Sequence, residues 1–172
     1  MNEVMKNILT RRSVRAFNEQ DIPRKALDQI LQAGLYAPSG MNKQTWQFTA
    51  IVNREKIQEL AKLIEKALGR KGYNFYNPSV IILVSNERES NWGKEDSACA
   101  LENIFLAAHS FGIGSVWINQ LKDICDEPEI RNYLQEIGVP ENHLVYGIAA
   151  LGYAATEVNQ EVHKKGIVKI VE

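Results

Sequence analysis

The run Val80-Ile81-Ile82-Leu83-Val84 constrains the fold more than any other stretch of the chain. Consecutive residues of a strand point to opposite faces of a sheet. A strand that is apolar in both directions has no face for water, so it belongs at the centre of a sheet covered on both sides. No uninterrupted apolar run in the sequence is longer, and a helix crossing a bilayer needs roughly 20 such residues. A membrane span is therefore not expected. The N-terminus, with Glu3, Lys6 and no apolar core, does not read as a secretory signal.

Around that strand the apolar residues recur with two periods. Val4, Met5, Ile8 and Leu9 predict a short helix over 2–9. Ala26, Leu27, Ile30 and Leu31 predict a second, opened by Pro23 and ended before Pro38. Ile57, Leu60, Ala61, Ile64 and Leu68 give a third. Residues 97–111 are apolar almost all round, as in a helix buried in a core or a subunit interface. A surface helix is expected over 128–137. Further strands are expected at 46–52, 115–118, 143–151 and, finally, 166–171. About five strands and five helices, without strict alternation, predict a mixed α and β fold. A length of 172 residues favours a single domain. Gly112-Ile113-Gly114 follows a helix and precedes a strand, the reverse of a dinucleotide fingerprint, and no Walker loop is present.

Two polar segments stand out. Thr10-Arg11-Arg12-Ser13-Val14-Arg15-Ala16-Phe17 packs three arginines and two hydroxyls between apolar neighbours, with Ile8 and Leu9 before it. Guanidinium forks match the oxygens of a phosphate. Arginines also gather at helix ends, where carbonyls attract them, and the box alone leaves both readings standing. The second segment, residues 37–44, is a loop by composition, with Gly40 suited to a close backbone approach or a positive φ. The net charge of −1 argues against a general nucleic-acid binder. Cys99, Cys125 and the three histidines make no metal-spaced motif, so no metal is expected, and a reducing cytoplasmic compartment is the simplest reading. Cys99 is expected to be buried, His109 to be a satisfied interior residue, and two of Tyr73, Phe75 and Tyr76 to pack inside.

Taken together, four segments resemble the FMN-dependent nitroreductase family. They are the arginine box from Arg11 to Phe17, and Ala37-Pro38-Ser39-Gly40-Met41-Asn42-Lys43-Gln44-Thr45-Trp46. The long helix running into Gly114-Ser115-Val116-Trp117-Ile118-Asn119 is the third. Gly147-Ile148-Ala149-Ala150-Leu151-Gly152-Tyr153, followed by Lys164 and Lys165, is the fourth.

The resemblance implies an α+β, nitroreductase-like three-layer fold. Its central sheet would be mixed and mostly antiparallel, flanked by helices. Residues 153–172 would form a C-terminal arm whose strand is exchanged with a partner subunit. It also implies a homodimer with FMN at the interface, and NADH or NADPH as electron donor. The acceptor would be a nitroaromatic, a quinone or a similar small molecule, reduced by a ping-pong mechanism. Carried over by position, Arg11 and Ser13 would hold the FMN phosphate with Arg12 beside them, and Arg15 would sit at the flavin N1 and O2 edge. Lys164 and Lys165 would complete the phosphate site. Pro38, Ser39, Gly40, Asn42 and Gln44 match the loop lying across the flavin from the other subunit. Trp117, Ile118, Asn119 and Gln120 match the strand end that meets the ring, although Trp117 reads equally as a core residue. The flavin carries the chemistry and no side chain is expected to be a nucleophile. Thr45 stands where the family often has proline, and the stretch between Leu68 and Pro78 is short. A non-catalytic FMN store or sensor on the same fold, and a dimeric anion-binding module, remain as alternatives.

Overall fold

The computed structural model describes residues 1–158 and 162–172. In chain order the elements are α1 (Glu3–Thr10), α2 (Arg24–Leu35), β1 (Gln47–Ile51), α3 (Arg54–Leu68) and β2 (Val80–Glu87). They continue with α4 (Gly93–Ser110), β3 (Gly114–Ile118), α5 (Pro128–Glu136) and β4 (His143–Gly152). The strands form one antiparallel sheet in the order β1-β2-β4-β3.

β2 lies inside the sheet, as its doubly apolar pattern requires, and Val80 to Val84 are all buried. Its alternate residues enter two separate cores. Ile81 and Leu83 join Ile57, Leu60 and Ile64 of α3 and Ile130 and Leu134 of α5. Val80, Ile82 and Val84 join Leu27 and Ile30 of α2 and Ala100, Leu101 and Ile104 of α4. The result is three layers, with one helix pair on each face of the sheet. Each fully buried aliphatic side chain contributes about 1.5–3 kcal/mol relative to exposure.

Local signals set the helix ends. Asn2 accepts the Met5 N–H to cap α1, and Asn53 accepts the Lys56 N–H to cap α3. Gly69 closes α3 in the left-handed conformation. No helix among the described residues is long and apolar enough to cross a membrane.

Four expectations change. The sheet is not mixed: its only parallel feature among the described residues is an isolated bridge, Ser13 to Ser115. Residues 166–171 form no strand, and Ile167 is 96% exposed. A strand needs an edge to pair with, and this segment meets none among the described residues. Residues 159–161 of the expected arm lie outside the described residues. Cys99 is exposed rather than buried, because α4 buries one stripe (Asp96, Ala100, Leu101, Ile104, Phe105, Ala108) and Cys99 falls outside it. Finally, α1 buries none of its residues, so Val4, Met5, Ile8 and Leu9 stand exposed.

Candidate functional site

The arginine box lies along β3. After α1 the chain runs extended, and the Val14 N–H donates to the Ser115 carbonyl at 2.9 Å. Beyond it, the Asn18 N–H donates to Tyr153 O and the Ala155 N–H to Ala16 O, each at 2.9 Å. Val14 is the anchor: it is buried, while Arg15 beside it is exposed. Phe17 is half-buried and packs on the core. Ile8 and Leu9 do not help to hold the box, since both are exposed. Because Ser13 pairs in parallel with Ser115, Arg15 follows in the same direction as Trp117. The residues of the box are thus strung along a strand about 13 Å long.

Two arginines of this strip differ from their counterparts elsewhere in the fold. Arg24, Arg54, Arg88 and Arg131 each pair with a carboxylate elsewhere. Among the described residues Arg11 and Arg15 pair with none. Arg11 instead lies over the Phe105 ring, 6.0 Å from its centroid. Arg12 donates to the carbonyls of Leu9 and Arg11, both at 2.8 Å. Arg12 thus serves the end of α1, while Arg11, half-buried, lies over an aromatic ring.

A cavity of ≈ 210 Å³ opens here, lined by Thr10, Arg11, Arg12, His109, Ser115 and Val158 among others. Ser115 is 1% exposed, and its hydroxyl has no hydrogen-bond partner among the described residues. A buried hydroxyl left so costs about 1–3 kcal/mol, which a ligand oxygen would recover. His109 is half-buried rather than interior, though it has a hydrogen-bond partner. The Thr10 hydroxyl donates its one proton to Lys6 O at 2.7 Å, so the contact to His109 Nε2 at 2.8 Å is donated by the imidazole. Burial first, and then the charges of Arg11 and Arg12, push the His109 pKa down. His109 is accordingly a neutral donor near pH 7.

The loop over residues 37–45 is held in an uncommon conformation. Met41, Asn42 and Gln44 have φ of 52°, 55° and 51°, a region that costs non-glycine residues roughly 1–2 kcal/mol each. Gly40 is not left-handed. It is needed because the Trp92 indole lies on it: a Cβ there would stand 2.5 Å from the ring. The Gly40 N–H donates to the Asp96 carboxylate at 2.8 Å, and Asp96 is only 5% exposed. The Thr45 hydroxyl donates to Asn86 Oδ1 at 2.7 Å, and Asn86 is fully buried. Thr45, standing where a proline was expected, is thus a pin. Within the loop the Gln44 N–H donates to Ser39 Oγ and the Gln44 amide to Asn42 Oδ1. Pro38, Asn42 and Gln44 are exposed, and Ser39 and Gly40 half-buried. Sequence reasoning missed Trp92, Asp96 and Ser115, and only an apolar helix opened by an acidic turn hinted at Asp96.

Asp96 carries a prediction. Asp96→Ala leaves the Gly40 N–H without its acceptor and is expected to lower stability by about 1–3 kcal/mol, read by urea unfolding. Asp96→Asn keeps an acceptor oxygen and should recover most of that loss. Equal losses in the two variants would show that the hydrogen bond is not what holds the loop.

The box and this loop do not meet within one chain. His109 beside the box and Asp96 beneath the loop lie at opposite ends of α4, separated by on the order of 20 Å at 1.5 Å per residue. Trp117, Ile118 and Asn119 do lie along the strip. Ile118 is buried, Asn119 exposed, and Trp117 40% exposed with its ring 6.1 Å from Phe105. Lys164 and Lys165 are exposed and are not among the residues lining this cavity. At the far end of β3, Ile118 and Gln120 meet the 70–76 loop around a second cavity of ≈ 200 Å³.

A family model described as the nitroreductase family matches residues 8–73 and 63–153. A provisionally named NADH dehydrogenase/NAD(P)H nitroreductase of Archaeoglobus fulgidus is 33% identical, over 91% of this chain and 88% of its own. The crystal structure of a nitroreductase with bound FMN from Bacteroides fragilis is 45% identical and superposes with a TM-score of 0.93, each chain covering the other completely. An FMN-bound nitroreductase from Desulfitobacterium hafniense, 27% identical, superposes over the full length of both chains at 0.90.

Proposed function

The chain belongs to the nitroreductase family, and from that premise we propose an FMN-dependent enzyme that carries electrons from NADH or NADPH to a small acceptor. A nitroaromatic, a quinone or a similar molecule fits that role, with donor and acceptor taking turns in one place. The observation that carries the reading is the strip along β3, where Arg11 and Arg15 have no carboxylate among the described residues. Together with the Ser13 hydroxyl and the unmet Ser115 hydroxyl, they form a donor set suited to a ligand that is phosphorylated at one end and electron-accepting at the other.

When bound, FMN supplies a two-electron carrier between nicotinamide and acceptor. The donor loses a hydride, and the acceptor gains two electrons and two protons, one of them from solvent. The protein contributes position and field. Arg11 and Ser13 hold the phosphate, with Arg12 at its side and Lys164 and Lys165 closing on it from the chain end. Arg15 places a fixed cation at the pyrimidine edge and so favours electron uptake there. Trp117, Ile118 and Asn119 line the ring from the strand end.

A second copy of the chain completes the site. Pro38, Ser39, Gly40, Asn42 and Gln44 lie too far from the box of their own chain to share one ligand with it, so they serve the partner's. The exposed apolar residues of α1, and Ile167, Val168, Ile170 and Val171 of the tail, supply the surface that a C2 dimer covers.

One preparation tests the reading. The purified protein should retain a yellow flavin through desalting, sediment at twice the 19.5 kDa chain mass, and bleach when NADH or NADPH is added without oxygen. A colourless protein, or a yellow monomer, would contradict the site. A yellow dimer that neither nicotinamide bleaches would be a store or sensor of FMN.

A further inference from the structure

Two helices end at the cavity beside the box. α1 closes at Thr10 and α4 at Ser110, and Thr10, Arg11, Arg12, His109 and Ser115 all line the cavity. A helix C-terminus carries roughly half a negative charge, so an anion here meets two repelling helix ends. Arg12 is engaged with the carbonyls of Leu9 and Arg11, and Arg11 is the fork left for a ligand. A phosphate monoester is doubly charged above its second pKa of about 6. One guanidinium does not match that charge.

Of the described residues lining the cavity, His109 alone changes its charge near neutral pH. It sits in the last turn of α4, where the helix dipole favours a cation. Its Nε2–H donates to the Thr10 hydroxyl at 2.8 Å, which fixes the tautomer and leaves Nδ1 bare. Thr10 is held in turn by Lys6 O at 2.7 Å. A proton added at Nδ1 therefore breaks no bond in the site and creates a second N–H donor. Burial, and then the charges of Arg11 and Arg12, hold the ring neutral, and a phosphate beside those arginines would offset the second influence. The other charged groups around the ring are few. α1 brings Lys6 and Glu3, an ion pair at 3.9 Å that shares the adjoining cavity with His109. The last two turns of α4 and residues 112–115 bring none. The chain after β4 brings Val158 to the cavity, next to the exposed Glu157. His109 itself forms no ion pair among the described residues.

We propose that His109 is a proton-linked part of the phosphate site: as FMN binds, it takes one proton from solvent at Nδ1 and donates it in a hydrogen bond to a phosphate oxygen. This rests on the FMN reading above, and it makes the hold on the cofactor sensitive to pH. The ring is protonated more readily in the complex than in the free protein. The added affinity is therefore fully present below the pKa of the free protein and is lost as the pH rises through that of the complex.

Flavin-free protein is titrated with FMN, and with riboflavin, which lacks the phosphate, between about pH 6 and about pH 9. FMN affinity should fall by up to about tenfold per pH unit over part of that range, and riboflavin affinity should stay level. At about pH 7.5 the phosphate is already doubly charged. Calorimetry there, in two buffers of different ionisation enthalpy, should count about half a proton or more taken up per FMN. His109→Gln keeps an N–H for Thr10 and cannot be protonated. It should bind FMN like the wild type at high pH, bind it more weakly at low pH, and take up no proton. Absence of proton uptake by the wild type overturns the proposal, and that measurement needs no variant. Uptake that survives His109→Gln overturns it as well, and moves the proton to another group, such as His163 beside Lys164. Riboflavin with the pH dependence of FMN overturns the phosphate contact. Protein that takes up no FMN overturns the flavin reading itself. Protein that takes up FMN without a proton overturns this inference alone.

Discussion

Replacing Arg11 by alanine is expected to weaken FMN binding by about 10- to 100-fold. A charge-assisted hydrogen bond contributes roughly 1.5–3 kcal/mol, and each 1.4 kcal/mol is about a factor of ten in the dissociation constant. The position of Arg11 makes this a test of binding rather than of folding. Among the described residues its side chain lies over the Phe105 ring, 6.0 Å from the centroid, an interaction worth about 0.5–1 kcal/mol at an exposed site. Removing it should therefore leave the unfolding midpoint almost in place while the flavin is lost. Arg11→Lys keeps the charge and gives up the fork, so its affinity should fall between the two. Titration of the flavin-free protein with FMN measures all three. An unchanged affinity in Arg11→Ala would take this residue out of the phosphate site and leave Ser13 and Arg15 to account for it.

A larger structural effect is expected from Gly114→Ala. A Cβ at Gly114 would stand 2.7 Å from Val14 Cγ2, 2.9 Å from Val14 Cβ and 3.1 Å from the Gly152 carbonyl. None of these neighbours can swing aside. Val14 is β-branched and stiff at χ1, it is buried, and its own N–H is tied to Ser115 O. The Gly152 carbonyl belongs to β4. Overpacking of this kind costs about 1–3 kcal/mol, and the easiest relief is for the arginine box to leave β3. Both the unfolding midpoint and the FMN affinity should fall, whereas Arg11→Ala lowers only the affinity. Adding Val14→Ala removes the nearest clash and should recover part of the loss. Fully additive losses in the double variant would overturn the steric account, because residues in contact are expected to couple.

Much of this arrangement was legible before any coordinates. The run from Val80 to Val84 predicts an interior strand, and β2 is one. The stripe Ile57, Leu60, Ala61, Ile64 predicts a helix with one buried face, and α3 buries those four residues. Gly40 stands out as a glycine, and the structure attaches a reason to it, the Trp92 ring rather than its backbone angle. The box reads in the sequence as an anion site or a helix end, and of its arginines Arg12 does bond carbonyls at the end of α1.

The remainder depended on contacts between residues far apart in the chain. Nothing near Gly40 announces that its N–H will meet Asp96, or that Thr45 will meet Asn86. Ser115 reads as an ordinary strand residue until Ser13 is laid beside it and its hydroxyl is left unmet. The tail from 166 to 171 has the β-branched composition of a strand, but pairing belongs to an edge that the segment itself does not contain. Periodicity and capping are local properties, so the sequence by itself determined most of the elements, the two faces of β2 and the residue types of the arginine box. Which donors lie on one strip, which arginines stay unpaired and which loop stands at the other end of α4 were decided only by tertiary structure. Those facts arise from chain segments brought together by burial of the two cores, and the energy that holds them there is not written in any one segment.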